Sequence, residues 1–136
     1  MTIEENKALV RRFVDEIFVE GRIEAVGELV APDFVGHTWG GAAGRDGLKA
    51  AMQRIATALS DVAFTIDDVI AEDDRVAVRL TARATQIGEF MRLPPSGKSY
   101  EIGEIHIFRI RDGKVVEHWH QFDQLGMMRQ LGALPG

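Results

Sequence analysis

With 136 residues, 46% of them hydrophobic and 27% charged, the chain has the composition of one ordinary globular domain and enough length to form a core without staples. It contains no cysteine, which excludes disulfide frameworks, thiolate metal sites and cysteine nucleophiles. A net charge of −5 with scattered basic residues argues against nucleic acid; the polar, acidic amino terminus and the lack of any apolar run of membrane-spanning length lead to the expectation of a cytoplasmic protein with no membrane partner.

Thr2 and Glu5 have the spacing of a capping box, and Leu9, Phe13 and Ile17, widened by Val10, Val14 and Phe18, form the stripe of an amphipathic helix that Gly21 ends. Ile23, Val26, Leu29 and Val30 mark a second short helix that stops before Ala31-Pro32, so that the two form a helical hairpin. Asp33 to Trp39 reads as a short strand, Gly40 to Gly44 as a loop, and Leu48, Met52, Ile55 and Leu59 as the apolar face of a third helix. Strand signals dominate from there on. Val62, Phe64 and Ile66 alternate with small or polar residues, Asp73-Asp74 turns the chain, and Val76, Val78, Leu80, Ala82 and Ala84 alternate in turn. After a break at Pro94-Pro95-Ser96-Gly97, Tyr100 to Ile110 and Val115 to Phe122 form a hairpin around Asp112-Gly113. Leu125, Met128 and Leu131 predict a closing helical turn with Asp123 as its N-cap. Helices first and antiparallel strands afterwards predict an α+β fold with the helices on one face of a curved sheet.

Phe108-Arg109-Ile110 with Asp112-Gly113-Lys114-Val115-Val116-Glu117-His118-Trp119, then Phe122-Asp123-Gln124-Leu125-Gly126 and Gln130-Leu131-Gly132, resemble the SnoaL-like polyketide cyclases and ester cyclases of the nuclear-transport-factor-2-like superfamily. Pro32-Asp33-Phe34-Val35 with His37, Gly44-Arg45-Asp46-Gly47, Asp67-Asp68-Val69-Ile70-Ala71-Glu72 and Pro94-Pro95-Ser96-Gly97-Lys98 extend the resemblance over nearly the whole chain. It implies a single domain over 1–136, a cone-shaped α+β barrel whose amino-terminal helices pack on a curved, mostly antiparallel sheet enclosing a cavity. It also implies ring closure by intramolecular aldol condensation with neither metal nor cofactor. The family's reactive groups are a histidine on the penultimate strand, which His106 matches, and an aspartate just after the tryptophan of the last strand, where this chain carries His120.

The hairpin has two readings. A three-residue loop with Gly113 left-handed pairs Ile110 with Lys114, setting His106 opposite His118 and Glu104 opposite His120, whereas a two-residue turn pairs His106 with Trp119 and Glu104 with Gln121. The first agrees with the family's pair. It puts three histidines and a glutamate on one face, where His120 would act as base, His106 would orient or polarise a substrate oxygen, and Glu104 would fix a histidine tautomer. His118 reads as structural. His37, Trp39, Met52, Phe64, Phe90, Met91, Trp119, Phe122 and Asp123 are candidate ligand-binding residues, each with a plain core, cap or surface explanation beside it. His118-x-His120 across from His106 and Glu104 would also supply metal donors, but an H-x-H pair on a strand is a weak signal and the expectation is no metal. The expected function is a cavity for a small apolar or aromatic carbonyl compound, with cofactor-independent aldol cyclisation, isomerisation or hydration. A non-catalytic binding module is the alternative. The need to cover an open sheet face points to a homodimer or higher homo-oligomer.

Overall fold

The computed structural model describes residues 1–38 and 41–134. The capping box forms as its spacing requires: Glu5 N–H donates to Thr2 Oγ1 at 3.1 Å and Thr2 N–H to Glu5 Oε1 at 3.3 Å. Helix α1, Ile3–Phe13, follows with Leu9, Val10 and Phe13 buried. The helix then widens into a π-helical turn, Val14–Val19, before Gly21 turns the chain with φ of 65°. In a regular helix, residues five apart point about 140° away from each other. The wider turn brings Phe18 alongside Phe13, their rings edge to face with centroids 5.3 Å apart.

Helix α2 is short, Glu24–Leu29, and strand β1, Val30–Thr38, starts directly after it, so Val30 belongs to the sheet rather than to the helix. Pro32 is tolerated within this strand because β1 and β6 pair at Val30 and again only from Val35. The segment expected as a loop contains a short strand, β2, Gly41–Ala43, antiparallel to β1. Helix α3, Arg45–Ala58, buries Met52, but Ile55 is exposed and Leu59 already begins β3, Leu59–Glu72. Strands β4, Arg75–Gln86, β5, Ser99–Arg111, and β6, Lys114–Phe122, complete the sheet, and α4, Gln124–Gln130, closes the chain. Among the described residues no helix is long and apolar enough to cross a membrane.

The strand order is β2-β1-β6-β5-β4-β3, antiparallel throughout except for the parallel pair β1 and β6. The sheet is curved and carries the helices on one face, as expected, but its outermost strands β2 and β3 do not pair, so the cone stays open instead of closing into a barrel. Strict alternation sorts the two faces. Val76, Val78, Leu80, Ala82 and Ala84 of β4 turn to the helices and are buried, while Arg75, Arg79 and Arg83 face out. Phe13, Val26, Leu29, Phe34, Met52, Val78 and Phe108 form the main core, and Leu59, Tyr100, Ile102, Met127 and Leu131 a second one under α4.

The β5–β6 hairpin follows neither register expected of it. Asp112 and Gly113 both adopt left-handed conformations, with φ of 51° and 74°, and form a two-residue turn that pairs Arg111 with Lys114. Ile110 pairs with Val115, but Arg109 pairs with Glu117, so Val116 is an extra residue in a β-bulge. Beyond it Phe108 faces His118, His106 faces His120 and Glu104 faces Phe122. The face shared by the three histidines and Glu104 is therefore as anticipated, while their partners are displaced by two residues.

Candidate active site

Glu104, His106, His118 and His120 lie on the helix-covered face of β5 and β6. His106 and His118 are 2% and 5% exposed, and the side chain of Glu104 is 13% exposed, so the cluster is driest at the two paired imidazoles and opens toward Glu104 and His120. Phe18 from the π-helical turn covers it, with ring centroids 5.2 Å from His106 and 6.1 Å from His118. Phe13 and Phe108 wall the His118 end, Phe64 meets Phe18 at 5.5 Å, and Phe122 lies 5.6 Å from His120.

Three of the polar groups form a chain. Glu104 Oε1 lies 2.8 Å from His106 Nε2, and His106 Nδ1 lies 2.8 Å from His118 Nε2. The two imidazoles are within 2° of parallel, with centroids 5.1 Å apart. That separation is the N···N distance plus about one ring radius on either side, so the rings meet edge to edge nearly in one plane, the arrangement of an in-line hydrogen bond. An ionised Glu104 accepts only, so His106 then donates through Nε2, accepts at Nδ1 and takes the proton of His118 Nε2. His120 stands beside the chain at 4.8 Å from His106, and its Nδ1 is buried with no hydrogen-bond partner among the described residues.

Burial sets the protonation of the cluster. It pushes the Glu104 carboxyl up to about 6, against a smaller lowering by His120, and pushes His106 down to about 3, with His120 adding to the effect. His118 is held well below the ordinary histidine value, first by burial and then by the positive charge that His106, His120 and His37 would carry. His120 is lowered by burial and partly restored by Glu104. At neutral pH the cluster is thus three neutral imidazoles and one carboxylate.

The other candidates divide. Phe64 and Phe122 lie on the same face as the histidines, and Phe90 packs with them at the rim of the second core, where Met91 has φ of 51°. Met52 is a core residue. Asp123 caps α4, its Oδ1 accepting from Gly126 N–H at 2.8 Å. His37 and Trp119 do not join the site. Trp119 pairs with Ile107 and His37, which places both on the outer face of the sheet. There His37 stacks on the indole at 5.3 Å, its Nε2 lies 2.7 Å from Glu117 Oε2, and the Arg75 guanidinium lies 5.5 Å over the ring. Trp39 lies outside the described residues. Phe13 and Phe18 were read only as part of the apolar stripe of the first helix; the π-helical turn is what sets both rings against the histidines.

The three histidines each offer a nitrogen within 4.8 Å of the others, yet these rings are near-parallel and the His106–His118 pair is consumed in its own hydrogen bond. Imidazole lone pairs lie in the ring plane, so parallel rings do not converge on one ion without breaking that bond. Shallow concavities of about 430 Å³, along Arg83, Thr85, Tyr100 and Gln130, and about 490 Å³, along Phe122, Asp123 and Met128, contain none of the histidines. The titratable groups that converge lie beneath Phe18, while the concavities hold, apart from the buried Ala84 and Tyr100, half-buried and exposed side chains.

Residues 8–131 match the family model of the SnoaL-like polyketide cyclases. The chain belongs to that family. Aklanonic acid methyl ester cyclase DauD of Streptomyces sp. (strain C5) is 29% identical over 133 residues, covering 91% of this chain and 80% of the relative. Nogalonic acid methyl ester cyclase of Streptomyces nogalater is 28% identical over 123 residues, covering 85% and 89%. The structure of TsrD from Streptomyces laurentii superposes with a TM-score of 0.89 at 31% identity, covering 98% of this chain and 99% of that one. Within this SnoaL-like architecture, the curled sheet and the π-helical turn bring the buried histidine chain under an aromatic cover.

Proposed function

We propose that the protein is a cofactor-independent cyclase that closes a ring by aldol condensation in a small, largely apolar carbonyl compound. The observation that carries this reading is His120: a neutral imidazole, with one nitrogen buried and unpartnered, beside a carboxylate on an apolar, aromatic face. His120 takes the proton from the carbon next to a carbonyl, the enolate carbon attacks a second carbonyl, and the new alkoxide takes the proton back from the imidazolium. Atoms and charge balance without an added group. The negative Glu104 favours the imidazolium as it forms, as the buried carboxylate of a catalytic triad does. His106 cannot polarise the substrate oxygen while both its nitrogens are engaged, so its role is to hold Glu104 in place. Phe18, Phe64 and Phe122 supply the apolar contact.

Aklanonic acid methyl ester and nogalonic acid methyl ester, named by the relatives, are the first compounds to test, followed by other polyketide-like ketones, scored by thermal stabilisation and then by turnover. His120→Ala should cost about 10²–10⁴-fold in kcat. Full activity in that variant refutes the role, and tight binding without conversion of any compound refutes the enzyme in favour of a binding module.

The outer face of the sheet supports association of two copies. Ile70, Ala77, Ile107, Trp119 and His37 form one row across five strands, and Ile70, Ile107, Ile105 and Val35 are all exposed along it. Sedimentation should give a dimer that Ile107→Asp converts to a monomer.

A further inference from the structure

The Glu104–His106–His118 chain ends on a residue that the reaction above does not use. His118 is 5% exposed and sits between Phe13 and Phe108. A histidine of this size in such surroundings is costly to keep unless it is hydrogen-bonded, and its bond is to the far nitrogen of the ring that holds Glu104.

The two protonation states of Glu104 ask opposite things of His106. The carboxylate needs Nε2–H as a donor. The protonated acid can place its own hydrogen on Oε1, in which case it needs Nε2 as an acceptor and pushes the ring proton to Nδ1. A buried Nδ1–H with no acceptor would cost about 1–3 kcal/mol. His118 supplies that acceptor: as His106 shifts its ring proton from Nε2 to Nδ1, His118 shifts its own from Nε2 to Nδ1, and the proton gained stays on Glu104. No imidazolium is formed at rest, and the Glu104–His106 and His106–His118 hydrogen bonds are both kept.

We propose that His118 is a positioning residue: lying in line behind His106, it lets His106 change from donor to acceptor toward Glu104, so that Glu104 keeps its hydrogen bond in both protonation states. This rests on the reading that Glu104 and His120 are the working pair. The groups facing Glu104 leave little else to set its protonation. His106 and His120 flank it on the sheet, and Tyr100 feels its charge from the same strand. The elements packed around the chain contribute Phe13, Phe18, Phe64, Val78, Leu80 and Phe122, none of which titrates.

The test uses the intact protein without substrate, so it is independent of whether a cyclisation is found. Carboxyl ¹³C shifts follow Glu104, and ¹⁵N imidazole shifts follow the tautomers of His106 and His118 from pH 8 to pH 5. Both histidines should invert tautomer together at the Glu104 midpoint, with neither becoming cationic. His118→Phe should lower that midpoint by about one pH unit, a tenfold change in the ionisation constant, because the acid form loses its relay. His118→Gln, whose amide can donate or accept, should restore it. Tautomers that stay fixed through the Glu104 titration, or a glutamine variant that titrates like the phenylalanine one, would overturn the proposal. If His118→Phe does not fold, the wild-type tautomers and the glutamine variant still decide it. Loss of the cyclase reading would appear separately, as His120→Ala with full turnover on a converted compound.

Discussion

Lowering the pH from 7 to 5 should destabilise this protein well before its surface carboxylates titrate. His106 and His118 are buried and held neutral, with folded values below the ordinary 6.5. A depressed histidine contributes stability that is present above the unfolded value and lost as the pH falls beneath it, since the unfolded chain then binds the proton that the folded chain refuses. From pH 6.5 to 5 that is one and a half pH units at about 1.36 kcal/mol each, or about 2 kcal/mol for each ring that stays neutral. Glu104 works the other way. Its folded value of about 6 lies above the ordinary 4.5, so between pH 6 and 5 the folded state gains the proton first and recovers about 1.4 kcal/mol. The net loss is about 2.5 kcal/mol, a large share of a marginal domain's stability. Glu16, Glu28, Asp33 and Glu117 have lowered values, so their contributions begin to fade only at more acidic pH. Urea unfolding followed by circular dichroism at pH 7, 6 and 5 measures the effect directly. A midpoint that does not move with constant m-value, or an imidazolium signal from His106 above pH 5, refutes the reasoning.

Phe108, fully buried against Phe13 and His118, should cost about 3–5 kcal/mol on replacement by alanine in the same denaturation assay. Asp123→Ala removes the cap of α4 and should cost about 0.5–2 kcal/mol while leaving kcat within about twofold; a larger loss of turnover would make Asp123 part of the site. Gly126→Ala should reproduce that stability loss, because an added Cβ would sit 2.2 Å from Asp123 Oδ2 and expel the capping carboxylate. Gln86→Leu, which cuts the side-chain bonds to Gly88, Leu93, Pro94 and Ser96, should speed hydrogen exchange in residues 87–98 more than in the sheet.

The sequence-level reading succeeded where one periodicity governed a whole element. The capping box, the alternation of β4 and the Asp123 cap follow from local chemistry and appear as expected. The shared face of Glu104, His106, His118 and His120 was legible because alternation along a strand survives a displacement by two residues. What was missed depends on defects in periodicity or on distant partners. The π-helical turn adds a residue that helical counting does not foresee, and it sets Phe18, read only as part of an apolar helix stripe, directly over His106. Trp119 and His37 looked like cavity residues by type, yet parity alone sends them to the outer face. Strand β2 is three residues long and exists by pairing with β1, which no local pattern announces. A bond between Glu104 and a histidine was foreseen from the shared face, but the in-line order from Glu104 through His106 to His118 needs side-chain distances and was not readable.

The bulge at Val116 decides which side of the sheet the histidines take. Were Val116 to enter the ladder from the same Asp112-Gly113 turn, the pairing beyond it would change parity: Trp119 would come opposite His106 and turn inward, and His118 and His120 would turn to the outside. Loss of Val116 has no such effect, because Glu117 would then follow Val115 and pair with Arg109 as it does now. Among homologues a residue missing at the bulge is therefore expected to leave the cluster in place, whereas a substitution that lets the bulged residue pair would turn it out to the surface.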